Sequence, residues 1–368
     1  MSDKKKKIRT EFRKNRAPRT RQKDWAAQVG DDRKLDETPR EERISGKGDL
    51  TKKRTIVTTG DDVIEHEIDA DVCRRGRVLS VHGLTCVVED PQGVTLQCAV
   101  RRILNTLATD DRHVVVAGDE VVFRPAGAGE GMIERVEPRR GVISRTSRGR
   151  QHVIAANVEQ MLIVNSAAEP HLKPHLIDRL LVCAERERIR PLLCISKIDL
   201  VEPHELQPLL GVYGRMGYEV RAMSVRANIN VDVVRSFVRG RRSVVVGQSG
   251  VGKSSLLNAV EPGLNLKVGV VSEETQKGKH TTTVAKLIKL ADGGYVVDTP
   301  GIRAMELWDV IPEEVCGYFR DLRPFVNLCK FPDCTHRHEA GCAVKDAVAD
   351  GRLDARRYES YLQLFVGD

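Results

Sequence analysis

Apolar positions change their spacing several times along the chain, and each change marks a different kind of structure. Residues 1 to about 65 hold few large apolar side chains among runs of Lys, Arg, Asp and Thr. Such a segment buries too little surface to offset chain entropy, so it is expected to be mostly disordered. From about residue 70, short runs alternate apolar and polar positions: GRVLSVHGLTCVVED, GVTLQCAVRR, HVVVAGDEVVFRP and GMIERVEP. A period of two predicts half-buried strands, and Gly83, the Pro91–Gly93 stretch and the Gly118–Asp119 pair supply the turns. Four or five short strands within about 75 residues predict a small β-barrel, with the oligonucleotide-binding (OB) fold as first candidate and a plain structural barrel as the other. Arg74, Arg75, Arg77, Arg101 and Arg102 would give it a basic face, although aromatic residues for stacking on bases are scarce there.

The polar stretch SRTSRGRQH, residues 144 to 152, reads as a linker. Beyond it the pattern becomes α/β. The apolar strand QMLIVNSA precedes a helical run near PHLIDRLLVCAERERI, and a second strand RPLLCISKIDL follows. Another helix, the short strand YEVRAMSV, a further helix and the strand RSVVVGQ complete the series. Alternation of this kind predicts a parallel sheet with crossover helices. Two helical stretches near the C-terminus, VIPEEVCGYFRDL and AVADGRLDARRYESYLQLF, flank a segment rich in Cys and His. The expected organisation is multidomain: an arm over 1–65, a barrel over 66–143, an α/β domain over 150–308 and a small helical domain over 309–368.

Composition narrows the class. The 368 residues are 40% hydrophobic and 30% charged, as in soluble globular proteins. No apolar run reaches the roughly 18 residues of a transmembrane helix, and MSDKKKKIRTEFRKN lacks the apolar stretch of a secretory signal. A cytoplasmic protein without a membrane partner is therefore expected. The net charge of +8 lies in the arm, because residues 1 to 23 hold 11 Lys or Arg against Asp3 and Glu11. An arm of this kind binds phosphate backbones by counterion release, or simply keeps the chain in solution. Nine cysteines, an odd number, argue against a disulfide framework. Cys73, Cys86, Cys98, Cys183 and Cys194 sit in apolar contexts as small core residues.

Chemistry concentrates in three places. Gly247, Gln248, Ser249, Gly250, Val251, Gly252, Lys253 and Ser254 fit G-x-x-x-x-G-K-[ST], between the strand SVVV and the helical SSLLNAV. The glycines let the backbone N–H groups of residues 248 to 255, the last being Ser255, wrap phosphates at a helix N-terminus. Lys253 would neutralise the β- and γ-phosphates, and Ser254 would hold Mg²⁺. The second place is SKIDL, where Ser196, Lys197, Ile198 and Asp199 end a predicted strand, the usual ligand edge of an open α/β sheet. A carboxylate at Asp199 accepts from guanine N1–H and its exocyclic amine together, whereas adenine offers no matching donor pair. Lys197 would lie along the base plane. DTPG, residues 298 to 301, follows the strand YVV, so that Asp298 would reach Mg²⁺ through water and the Gly301 amide would sense the γ-phosphate.

These segments resemble the guanine-nucleotide motifs of translation-factor-type GTPases, in rotated order. The base-reading motif and Ser224 in MSV come first; the phosphate loop, a switch segment KGKHTTT (277–283) and DTPG come after. The resemblance implies a circularly permuted GTPase domain that begins near residue 150, a rearrangement tolerated where ordinary termini lie close together on a surface.

The third place is CKFPDCTHRHEAGC, which spaces Cys329, Cys334, His336 and Cys342 as C-x4-C-x-H-x5-C. Three thiolates and an imidazole form a closed tetrahedral set suited to structural zinc, with His338 competing for the fourth position. Barrel, permuted GTPase and this cluster, in that order over roughly residues 70 to 365, resemble the bacterial ribosome small-subunit-dependent GTPase A family. The resemblance implies a GTPase that binds the small ribosomal subunit late in its maturation and is stimulated by it, with barrel and zinc domain contacting ribosomal RNA. It further implies His336 as the zinc ligand, Thr281 to Thr283 (Thr282 above all) as the switch that closes on Mg²⁺ and the γ-phosphate, and His280 as the group that assists hydrolysis. Ile302 stands where many GTPases place a water-orienting Gln, so intrinsic turnover is expected to be slow.

Two departures qualify the likeness. Ser196 replaces the Asn of N-K-x-D, and the shorter side chain is expected to weaken nucleotide binding. The basic arm exceeds what the family core requires and reads as an additional RNA contact. A monomer with GTP, GDP, Mg²⁺ and Zn²⁺ as ligands is expected. The alternative is a nucleotide-controlled RNA-binding protein in which hydrolysis is incidental.

Overall fold

The computed structural model describes residues 72–101, 114–147 except 128, 150–266, 285–298 and 311–367, with three short strands nearer the N-terminus. It divides into two units, Met1–Ala70 and Asp71–Asp368. In the first, β1 (Lys6–Arg9), β2 (Thr55–Thr59) and β3 (Val63–His66) form an antiparallel sheet with Ile8 opposite Ile56 and Ile56 opposite His66. These short strands fall in the segment read as a mostly disordered arm, the rest of which lies outside the described residues. Their physical reason is local: Ile8, Ile56, Val57, Val63 and Ile64 are β-branched residues that favour a pleated ladder.

The second unit opens with a closed barrel. β4 (Arg74–His82), β5 (Thr85–Glu89) and β6 (Thr95–Val100) pair antiparallel in succession. β7 (Glu120–Gly127) pairs antiparallel with β8 (Glu130–Val136). A parallel β6–β8 ladder and an antiparallel β4–β7 ladder complete the ring. Five strands in the order β4-β5-β6-β8-β7 make an OB-fold, and closure removes the exposed edges that invite aggregation. Val78, Cys86, Val88, Cys98, Phe123 and Ile133 fill its interior.

The run HVVVAGDEVVFRP is not one strand. Val114 to Asp119 form a turn in which the buried Asp119 carboxylate accepts from the Val116 amide at 2.8 Å and from Arg139 at 2.8 and 2.9 Å. Nor do the five arginines make one basic face. Arg74 and Arg75 are exposed, but the Arg77 guanidinium lies 4.7 Å from the centroid of the Tyr295 ring and Arg101 donates to Glu134 at 2.7 Å. Arg102 lies outside the described residues.

The presumed linker is a hairpin. β9 (Ile143–Ser147) and β10 (Arg150–Ala155) pair antiparallel, Ser147 opposite Arg150 and Ser144 opposite Val153. The ladder is made by backbone groups of neighbouring segments, so it does not need the apolar alternation that marks a half-buried strand.

The α/β part runs β11 (Gln160–Ser166), α1 (Pro174–Arg186), β12 (Arg190–Ser196), α2 (Pro203–Arg215), β13 (Glu219–Ala222), α3 (Val231–Val238), β14 (Arg242–Val246) and α4 (Lys253–Val260). β15 (Lys286–Lys289) and β16 (Tyr295–Asp298) follow. The strand order is β13-β12-β11-β14-β16-β15, parallel except for β15. Every residue of β11 is buried, as expected of a strand covered on both faces. Met161 and Ile163 pack with Ile177, Leu180 and Leu209, while Leu162 and Val164 pack with Val234, Phe237 and Leu256. β14 follows three strands of its own sheet in sequence, yet it lies centrally, beside β11 and β16.

Beyond residue 310 come α5 (Val315–Tyr318), α6 (Arg323–Val326), α7 (Ala343–Ala349) and α8 (Ala355–Val366). The long helical stretch expected over AVADGRLDARRYESYLQLF breaks at Gly351, whose φ of 71° suits glycine best. Asp354 then caps α8 by accepting from the Arg356 amide at 3.0 Å. α8 docks on α1 through Arg357, whose guanidinium is 2.5 Å from Asp178 and makes two bonds of 2.9 Å to Asp321. Tyr213 also donates to Asp178 at 2.7 Å. Arg357 and Asp178 are almost fully buried, so each neutralises a charge the other would strand. Among the described residues no helix is long and apolar enough to cross a membrane.

Candidate functional site

β14 delivers its loop at the C-terminal edge of the parallel sheet, where open α/β folds bind ligands. Gly247 leaves the strand with φ 145°, and a Cβ there would lie 2.0 Å from the Val164 carbonyl oxygen. Only glycine lets the loop run so close to β11. Gly250 and Gly252 carry φ values of 82° and 93°, and Gly252 passes directly into α4, whose first amides are free to face an anion. Lys253 is the first residue of α4, and its ammonium donates to the carbonyls of Gly247 (2.8 Å) and Gln248 (2.7 Å). Burial lowers its pKa from the ordinary lysine value. Ser249, Ser254 and Ser255 complete the motif, the last two half-buried in the first turn of α4.

The base-reading segment meets this loop directly. The buried Ser196 hydroxyl, at the end of β12, lies 2.7 Å from the Val251 carbonyl oxygen and 3.1 Å from that of Asn165. Serine at this position therefore braces the phosphate loop despite its short side chain. Ser196→Ala deletes one buried hydrogen bond, a loss of about 1 kcal/mol, and is expected to weaken GDP binding about fivefold. A fluorescent-nucleotide titration with unchanged affinity would show that the brace does not serve the nucleotide.

Lys197 adopts a left-handed backbone (φ 58°), and its ammonium donates to the Glu169 carbonyl. Ile198 and Asp199 lie in the short 3₁₀ turn that follows. The Asp199 carboxylate accepts from the Ser224 hydroxyl at 2.6 Å, a bond that holds its carboxyl below the usual aspartate range. Ser224 is fully buried and also accepts from the Ala227 amide at 3.0 Å, while the Ile198 amide bonds Met223 O at 3.3 Å. One carboxylate oxygen is thus fixed by its neighbour. Asp298 ends β16 opposite Lys286; its side chain, Gly301, Ile302, His280 and Thr281 to Thr283, Thr282 included, lie outside the described residues.

Cys329, Cys334, His336 and Cys342 converge, with all four donor atoms within 4.8 Å of one another. A tetrahedral zinc ion with ordinary bond lengths sets its sulfurs roughly 3.8 Å apart and nitrogen roughly 3.5 Å from each sulfur. Cys329 and Cys342 sulfurs are 3.9 Å apart, and His336 Nδ1 lies 3.4 and 3.5 Å from them. The donor set fits a zinc ion. His336 is buried and His338 is exposed, which separates the two candidates. Burial and the neighbouring thiols push the Cys334 thiol up to about 12, so thiolates here call for a cation.

Sequence reading missed the groups that hold this loop. The Glu339 carboxylate accepts from the amides of Thr335 (2.8 Å), Arg337 (2.9 Å) and His338 (3.1 Å). Tyr358 and Tyr361 donate to the carbonyls of His336 (2.7 Å) and Thr335 (2.6 Å). Nothing in their spacing announces these roles. The Val251 and Asn165 carbonyls were equally invisible, because any residue supplies a carbonyl.

Comparison with known proteins gives a consistent picture. Residues 136–308 match the model of a family described as RsgA GTPase. A small ribosomal subunit biogenesis GTPase RsgA of Sodalis glossinidius (strain morsitans) is 40% identical over 298 residues, covering 79% of this chain and 85% of that protein. The protein of the same name from Thermotoga neapolitana is 37% identical over 299 residues, covering 79% of this chain and 96% of its own length. Among solved structures, YjeQ from Thermotoga maritima aligns with a TM-score of 0.67 at 34% identity, covering 80% of this chain and 98% of that one. YloQ, described as a circularly permuted GTPase, aligns with a TM-score of 0.62 at 29% identity over 82% of this chain and 97% of its own.

Proposed function

The chain belongs to the RsgA GTPase family, and on that premise we propose that it hydrolyses GTP in the late maturation of the small ribosomal subunit, bound to that subunit and stimulated by it. One observation carries the reading of the site. The phosphate loop and the Asp199–Ser224 pair share one sheet edge, tied by the 2.7 Å contact of Ser196 with Val251.

Each residue then has a task. Amides of residues 248 to 255 wrap the phosphates, and the Lys253 ammonium turns from loop carbonyls to phosphate oxygens. Asp199 accepts from guanine N1–H and the exocyclic amine, with Ser224 setting its orientation and Lys197 lying along the base. Ser254 and Thr282, assisted by Asp298, would hold the Mg²⁺ that accompanies GTP, which would offset phosphate charge, and the Gly301 amide would sense the γ-phosphate. His280 positions the attacking water, a task the aliphatic Ile302 has no polar atom to perform. Cys329, Cys334, His336 and Cys342 would hold one zinc ion, which would serve a structural role because the four donors are all supplied by the protein. Exposed Arg74 and Arg75, the zinc loop and the N-terminal arm meet ribosomal RNA through its phosphates. The protein acts as a cytoplasmic monomer.

The test is GTP turnover with purified small subunits, large subunits or neither, with Lys253→Ala as the blank. Small subunits alone are expected to accelerate turnover. Intact GTP and RNA binding without acceleration would point instead to an RNA-binding protein under nucleotide control.

A further inference from the structure

The barrel is built into the nucleotide sheet, and the joint falls on the strands that lead to the nucleotide. Lys286 of β15 pairs with Ser80 of β4, which makes barrel and α/β sheet one eleven-stranded surface. At the other end of the short β15–β16 hairpin stands Glu89, the last residue of β5 and only 7% exposed. Lys289 lies 2.8 Å from one carboxylate oxygen and the Tyr295 hydroxyl donates to the other. Lys289 and Tyr295 face each other across the hairpin, so one carboxylate grips both strands at once. Arg77, the cross-strand partner of Glu89, covers the Tyr295 ring. Burial by itself would raise the Glu89 carboxyl, but these donors outweigh it and hold the group ionised below the usual range.

A second carboxylate of the barrel repeats the arrangement. Glu120, the first residue of β7, accepts from Arg242 at 2.6 Å, and Arg242 is the register partner of Tyr295 between β14 and β16. Glu89 and Glu120 therefore hold the N-terminal ends of β16 and β14. The C-terminal ends of the same strands carry Asp298 and the phosphate loop, at strand spacing only about 10–15 Å away. Short paired strands inside a sheet move as units, since bending one would break its ladder.

We propose that Glu89 is a positioning residue through which the barrel sets the β15–β16 hairpin, so that acceleration of GTP turnover by the small subunit depends on it. This rests on the reading of the chain as a subunit-stimulated GTPase. Glu89 touches neither the phosphate loop nor the base-reading pair, so basal turnover does not need it.

The experiment compares parent, Glu89→Ala and Glu89→Gln as full-length proteins. Glu89→Ala is expected to keep GDP affinity, basal turnover and cosedimentation with small subunits within about twofold, and to lose about tenfold of the stimulation, the range reached when a coupling residue is removed. Glu89→Gln, which keeps an acceptor for Lys289 and Tyr295, is expected to recover most of it. Full stimulation in Glu89→Ala overturns the proposal, as does an equal fall in basal and stimulated rates. A second arm needs no ribosome. Exchanging GDP for a non-hydrolysable GTP analogue is expected to alter amide exchange at β5 in the parent and to leave β5 unaltered in Glu89→Ala. A parent that shows this linkage without stimulation would refute the subunit reading and retain the clamp. A parent with stimulation but no response at β5, or the same response in Glu89→Ala, would refute the clamp alone.

Discussion

Lys253→Ala is expected to lower GTP turnover on the order of 10²–10³-fold, the loss typical when one fixed charge-stabilising donor is removed from a transition state. The ammonium now lies against the carbonyls of Gly247 and Gln248, at 2.8 and 2.7 Å, inside the loop that cradles phosphates. Truncation removes the cation yet leaves the loop's backbone path untouched, because that path follows from Gly247 beside β11 and the brace from Ser196. Thermal unfolding should therefore barely shift. Lys253→Arg is not expected to rescue, since a planar guanidinium is larger and directs its donors differently. Single-turnover hydrolysis with saturating subunits decides the matter: a rate within threefold of the parent would remove Lys253 from the chemistry.

The second large effect concerns the metal. Elemental analysis is expected to find one zinc ion per chain, and both Cys342→Ser and His336→Ala to lose it while His338→Ala retains it. Structural zinc provides roughly 10–16 kcal/mol of apparent binding energy in small zinc peptides, much of it folding energy. Here the effect should be smaller and local, because Val315, Phe319, Leu322, Val344 and Tyr361 already form an apolar core around Cys342. Amide exchange should rise across α7 and α8 and stay unchanged in β11, β12 and β14. Acid should act in the same direction. The Cys334 thiol, pushed up to about 12 without metal, holds its proton firmly, so protons compete better with zinc as the pH falls. Zinc retained by Cys342→Ser at full occupancy would contradict this assignment.

Much of the site was legible because its chemistry is local in sequence. A phosphate loop must place glycines, Lys253 and Ser254 at set intervals, since backbone amides a few residues apart wrap one anion. The Cys and His positions are equally local, but spacing left His336 and His338 open; the resemblance favoured His336, which is buried beneath Tyr358 and Tyr361 of α8 while His338 is exposed. Four or five barrel strands were visible from their alternation, whereas β15, in the short run KLIK, carried too weak a pattern to be read. The stretch 144–152 reads as a linker because its polar residues mask two strands, β9 and β10, that pair with each other.

Periodicity and motif spacing by themselves determined the order of short barrel strands, an α/β pattern with its phosphate loop and the Cys–His cluster, because each reflects interactions among residues close along the chain. That the nucleotide domain is permuted came from its resemblance to other GTPases. Tertiary structure alone decided how those parts are joined. Glu89 with Lys289 and Tyr295, Glu120 with Arg242, Arg357 with Asp178 and Ser196 with Val251 each unite residues at least 55 positions apart. A charge or hydroxyl reveals nothing of its partner while that partner lies on a distant element, and only the fold brings the two within hydrogen-bond reach, which is why these joints appear only in three dimensions.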